Sequence, residues 1–135
     1  MSNLSAFLNP ASPLEKQEVV ISKRFRKEDG TPTPFVIRPI TQEESEALRR
    51  KSTRRSKVNG QVTETLDSAE YGRRLIVAAT VEPDFTSEDI CKAYGTMDPL
   101  EVPSRMLLVG EHSKLTQAIM ELSGLNDDLE EQAKN

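Results

Sequence analysis

Apolar positions punctuate the chain with two different periods. Leu4, Phe7 and Leu8 stand at i, i+3 and i+4, the spacing of one amphipathic helical turn, and Asn9-Pro10 and Ser12-Pro13 stop it. Val19, Ile21 and Phe25 fall on one face of an extended segment. After Glu28-Asp29-Gly30-Thr31 comes a second apolar run, Phe35-Val36-Ile37. Asp-Gly supplies the positive φ that a tight loop needs, so residues 18–40 are read as a β-hairpin. Pro32, Pro34 and Pro39 surround its second strand, which places that strand at a sheet edge. A two-stranded hairpin is marginal in water, so it must pack on helices or gain a strand from another chain.

The pattern then turns helical. Thr41-Gln42-Glu43-Glu44 is a capping box, with Thr41 at the N-cap and Glu44 three residues on. The helix carries acids first and bases last, which complements its dipole, and it is expected to end before Asn59-Gly60. Residues 57–66 read as a polar connection. Asp67 or Ser68 caps a second helix running to about Thr80, with Tyr71, Leu75, Ile76 and Ala79 as its buried stripe. Ser87 caps a short helix, Glu88 to Tyr94, stopped by Gly95. Asp98-Pro99 predicts a turn and Pro103 begins another helix, in which Met106, Leu107, Leu108 and Val109 form a buried run. The last helix covers about Glu111 to Leu122, on a stripe of Leu115, Ala118, Ile119 and Leu122. A hairpin followed by four to five helices predicts a predominantly helical α+β fold. Three regions are expected: a flexible arm (1–16), one folded domain (17–124) and an acidic tail (125–135), frayed or solvated, with Asp127, Asp128, Glu130 and Glu131.

Composition narrows the function more than the fold. Of 135 residues, 36% are hydrophobic and 4% aromatic, with no Trp, so the core must be aliphatic. With 30% charged residues and a net charge of −4, the chain is expected to be soluble and to share its surface with a partner. No apolar run approaches a membrane span, and the N-terminus lacks the basic and apolar regions of a signal peptide. The single Cys91 cannot form an intrachain disulfide, which fits a reducing compartment. Catalysis needs a nucleophile with its base, paired acids or a metal. One His (His112), one Cys and glycines dispersed at turns supply none of the usual metal or phosphate motifs. The chain is therefore read as a binding protein with no enzymatic activity, cofactor or metal.

The basic run Arg49, Arg50, Lys51, Arg54, Arg55, Lys57 is the densest charge feature. No aromatic is interleaved for base stacking, and the rest of the chain is acidic, which argues against a nucleic-acid face. A solvated helix end or a patch for an acidic surface, including the Asp127–Glu131 tail, fits better.

Several segments resemble one family in order and spacing. Val20-Ile21-Ser22-Lys23-Arg24-Phe25, then Asp29-Gly30, then Phe35-Val36-Ile37-Arg38-Pro39-Ile40-Thr41 resembles its hairpin. Tyr71 through Ala79 with Pro83-Asp84-Phe85 resembles its second helix, and Tyr94-Gly95-Thr96-Met97 its following turn. Met106-Leu107-Leu108-Val109-Gly110-Glu111, and Ile119 to Leu125, resemble its closing segments. The family is that of the XkdN-like phage tail assembly chaperones, of contractile-tailed bacteriophages and defective prophages of Gram-positive hosts. The resemblance implies a factor in the host cytoplasm that binds the tape measure protein and keeps it soluble. It would assist tail tube assembly and be absent from the virion. Self-association and contact with the tail tube protein are also expected. The alternatives are a minor structural tail protein, as a completion or adaptor component, and a small nucleic-acid-binding regulator. The residues expected to meet the partner are Leu4, Phe7, Leu8, Met106, Leu108, Leu115, Ile119 and Leu122.

Overall fold

A computed structural model describes residues 3–11 and 15–125. Residues 126–135, most of the predicted acidic tail, lie outside the described residues, as does the pairing expected between that tail and the basic run. In chain order the elements are α1 (Leu4–Leu8), β1 (Gln17–Val19), β2 (Phe35–Ile37), α2 (Gln42–Lys51), β3 (Thr53–Val58) and β4 (Gln61–Leu66). They continue as α3 (Ser68–Ala79), β5 (Thr80–Glu82), α4 (Glu88–Ala93), a 3-10 turn (Pro99–Glu101), α5 (Val102–Met106) and α6 (Val109–Leu122). Among the described residues helix accounts for 47% and strand for 19%, an α+β fold in which helix does not dominate to the degree expected.

The N-terminal strands pair antiparallel, Gln17 with Ile37 and Val19 with Phe35, but they do not make a regular hairpin. Each is three residues long. The segment 20–34 between them contributes one isolated bridge, Arg26 with Pro32, below the expected turn at Gly30 (φ 88°). The edge assignment of β2 is also corrected. β2 is the middle strand, with β1 on one side and β5 on the other. The prolines lie just outside its three residues, so they remove no ladder donor.

The largest correction concerns the basic run. α2 stops at Lys51, and residues 53–66 form a second antiparallel sheet of two strands, where a longer helix and a polar connection were expected. Thr53, Val58, Val62, Thr63 and Thr65 are β-branched and favour the pleated strand. Asn59 (φ 52°) and Gly60 (φ 79°) both take the left-handed conformation required by a two-residue hairpin turn. Ser52 closes the base of this ribbon: it is buried, its Oγ donates to the Leu48 carbonyl, and its own carbonyl accepts from Asp67 N–H.

α3 is the central helix, packed against α2, α5 and α6. Asp67 caps it by accepting from Glu70 N–H at 3.0 Å, and Leu75, Ile76 and Ala79 are buried as predicted. The Thr41 capping box at α2 is also formed, and Arg38 grips Glu44 at 2.7 Å. The core joins Ile21, Phe35, Ile37, Phe85, Val102 and Leu115 with the α3 stripe. The expected helix from Pro103 through Val109 ends early, at Met106. The extended backbone of Leu107 (ψ 141°) and Leu108 (ψ 161°) interrupts it, and α6 begins at Val109 with Gly110 in its first turn.

Candidate protein-binding surfaces

The break before α6 decides which apolar residues face outward. Met106 and Leu107 are buried, whereas Leu108 is 60% exposed and Val109 86%. The expected buried run over Met106–Val109 is therefore half core and half surface. Leu108 occupies the N-cap of α6, where its side chain offers no acceptor to the free N–H groups of the first turn. Ser, Asp or Asn at this position is ordinarily worth about 0.5–2 kcal/mol more than an apolar residue.

A single ion pair holds the exposed pair in place. The Glu111 carboxylate accepts from Leu108 N–H at 2.7 Å, from Arg24 Nε at 2.8 Å and from Arg24 Nη2 at 2.6 Å. Arg24 also donates to the Met106 carbonyl at 3.0 Å and lies over the Phe25 ring at 5.0 Å. The long segment 20–34 is thereby pinned to the head of α6. The bonds from Arg24, with Ser22 and Leu108 N–H adding to them, hold the Glu111 carboxyl at about 2, below its ordinary 4.5. A carboxylate depressed in the folded state stabilises fully above its unfolded pKa and loses that contribution as pH falls through the folded one. Glu111→Gln should therefore be less stable than wild type at neutral pH. The gap should narrow between pH 4.5 and 2, measured as denaturation midpoints across that window. A gap independent of pH would remove the ion pair as its cause.

The other sequence-predicted residues divide by burial. Leu115, Ile119 and Leu122 are core residues, as Met106 is, and have almost no surface to offer a partner. Leu4, Phe7 and Leu8 form α1, in which no residue is buried, and Phe7 is the most exposed of the three. The basic run is divided between two elements. Arg49, Arg50 and Lys51 make the last turn of α2, and Arg54, Arg55 and Lys57 lie on β3. Arg54 reaches Asp67 and Glu70 at the start of α3, and Arg55 reaches Glu64 on β4 at 3.0 Å, so part of the charge is spent on neighbouring acids. Arg49 stacks over Tyr71 at 5.8 Å and meets no carboxylate among the described residues.

Sequence reasoning did not find the cleft where α2, α3 and α6 meet. It has a volume of about 180 Å³, with the buried Leu75 and Ile119 at its base. Gln42 and Ser45 of α2 line one side, Met120, Ser123 and Leu125 the other. The Tyr71 hydroxyl and Ser45 Oγ share a hydrogen bond of 2.6 Å across it. The signal for it lay in three separate helical stripes, which only tertiary packing brings together. Among the described residues no three His, Cys, Asp or Glu side chains cluster to hold a metal, and no helix is long and apolar enough to cross a membrane.

Comparison with known proteins gives these surfaces a family. Phage-like element PBSX protein XkdN of Bacillus subtilis (strain 168) is 39% identical, over 96% of this chain and 93% of that protein. The uncharacterised protein YqbN of the same strain is 37% identical over 96% of this chain and 92% of its own length. The crystal structure of YqbN superposes with a TM-score of 0.72 at 31% identity, covering 92% of this chain and 98% of that one. The model of the phage XkdN-like tail assembly chaperone proteins matches residues 4–135, and the chain belongs to that family.

Proposed function

We propose that the chain binds the tape measure protein of a phage tail in the host cytoplasm. It holds that protein soluble until tail tube subunits polymerise around it, and it leaves before the virion is complete. The role is one of binding, without catalysis or cofactor, and includes contacts with the tail tube protein and with further copies of the chain. The observation that carries this reading is the outward pair Leu108–Val109, fixed by Glu111 and Arg24 at a position where a polar cap would serve the helix better. A long helical partner with an apolar stripe is the ligand such a rigid apolar knuckle suits. The exposed arm residues Leu4, Phe7 and Leu8 add a second apolar contact.

Co-expression tests it. A tape measure protein from the same phage should move from the insoluble to the soluble fraction when the two are made together, and purified virions should lack this chain. A tape measure protein that stays insoluble would overturn the reading, and recovery of the chain in virions would favour a structural tail component.

A further inference from the structure

We propose that the outer edge of β4 is a pairing edge for a second copy of the chain. Two ribbons then join into one antiparallel sheet, in the order β3–β4–β4–β3, about a two-fold axis at Thr63. The inference deepens the contact between copies named in the proposed function and rests on that part of it. It starts from the ribbon's isolation. Residues 54–65 are exposed without interruption, and among the described residues no third strand joins β3 and β4. A two-stranded ribbon is marginal in water unless it gains strands or packs on a helix. Yet β3 and β4 each run for six residues, where β1, β2 and β5 have three.

The register identifies the free groups. The strands pair from Val58 with Gln61, across the two-residue turn, to Thr53 with Leu66. In such a hairpin the pair flanking the turn is hydrogen-bonded, and bonded and non-bonded pairs alternate from there. The Asp67 amide, donating to the Ser52 carbonyl, continues that alternation at the base. Gln61, Thr63 and Thr65 therefore turn their N–H and C=O groups toward β3. Val62, Glu64 and Leu66 turn theirs outward on one edge, and Thr53, Arg55 and Lys57 on the other.

Charge chooses between the edges. β3 carries Arg54, Arg55 and Lys57, and pairing two β3 strands would bring these cations together. β4 carries one charge, Glu64, which Arg55 already engages, among the strand-favouring Val62, Thr63 and Thr65. Pairing β3 with β4 of the next copy would leave an open edge at each end and propagate, whereas β4 with β4 closes on itself. Charge also sets the register. An axis through Glu64 would oppose the two carboxylates. An axis through Thr63 opposes Glu64 to Val62 of the other copy, Gln61 to Thr65, and Thr63 to its own counterpart. In that register Val62 and Glu64 exchange their outward N–H and C=O groups. The basic strands are left at the outer edges, where their cations discourage further pairing.

Light scattering of the full chain tests this. Wild type should pass from the mass of one chain to that of two as concentration rises. Val62→Pro removes an outward N–H and should hold the protein at the mass of one chain. Lys57→Pro, opposite Val62 on the other edge, makes the matching change to the ribbon and should leave the dimer intact. Thr63→Cys should give a disulfide-linked dimer on oxidation. Non-hydrogen-bonded antiparallel neighbours stand roughly 4.5 Å apart at Cα, within the span a disulfide bridges. Ser56→Cys, opposite Thr63 on β3, should not cross-link, and the native Cys91 is buried. Where both prolines melt the ribbon, the cross-link decides. A wild type that keeps the mass of one chain at every concentration would overturn both this edge and the contact between copies. A dimer that survives Val62→Pro, a mass that climbs past two chains, or a Thr63→Cys chain that cross-links no faster than Ser56→Cys would overturn the edge and leave self-association standing.

Discussion

Replacing Phe85 by Ala should leave the protein close to its unfolding threshold at room temperature. Phe85 is fully buried, in the connection between β5 and α4. On either side of it, Asp84 closes the turn by accepting from both the Thr86 amide and hydroxyl, at 3.0 and 2.6 Å. Behind it the Cys91 thiol donates to the Phe85 carbonyl. Removing a buried Phe side chain costs about 3–5 kcal/mol, set against a total stability of about 5–15 kcal/mol for a domain. With 4% aromatic residues and no Trp, little other bulk is available to fill the void. Thermal unfolding should move down by on the order of 10–20 °C. A shift below about 3 °C would mean that the surrounding loop collapses into the cavity.

The opposite behaviour is expected from Leu108→Ser with Val109→Ser. These side chains are exposed, so their loss should change stability by no more than about 1 kcal/mol. The sign at Leu108 is predicted to be favourable, because serine there can accept from the first-turn amides as leucine cannot. Co-expressed tape measure protein should nevertheless return to the insoluble fraction. Unchanged solubilisation by a stable double variant would remove this surface from the proposed function and leave the α1 arm as the apolar contact to test. The pair of experiments separates what folds the chain from what the chain is proposed to hold.

The sequence was most legible where capping and apolar spacing agreed. Thr41 with Glu44, Asp67, and the Leu75–Ile76–Ala79 stripe all took the places their chemistry dictated. It misled where charge stood in for conformation. Arg54, Arg55 and Lys57 read as the basic end of α2, yet strand-favouring Thr and Val residues surround them. Asn59-Gly60 was a turn signal treated only as a helix stop. β2 could not be placed at the sheet centre from its own residues, since its partner β5 lies more than forty positions away. The Met106–Val109 run was undecidable from hydrophobicity alone, because Arg24, far upstream, helps fix where the helix breaks. The α2–α3–α6 cleft was invisible for the same reason.

That distance between Arg24 and Glu111 bears on how the chain leaves the ribosome. The two residues are separated by 87 positions. At about 5–20 residues per second, roughly 4–17 s of synthesis pass between them. Throughout that interval Ile21, Phe25 and Phe35 have neither their ion-pair anchor nor α6 to cover them. A protein proposed to keep another chain from aggregating thus spends its own first seconds with its apolar N-terminal segment waiting for α6.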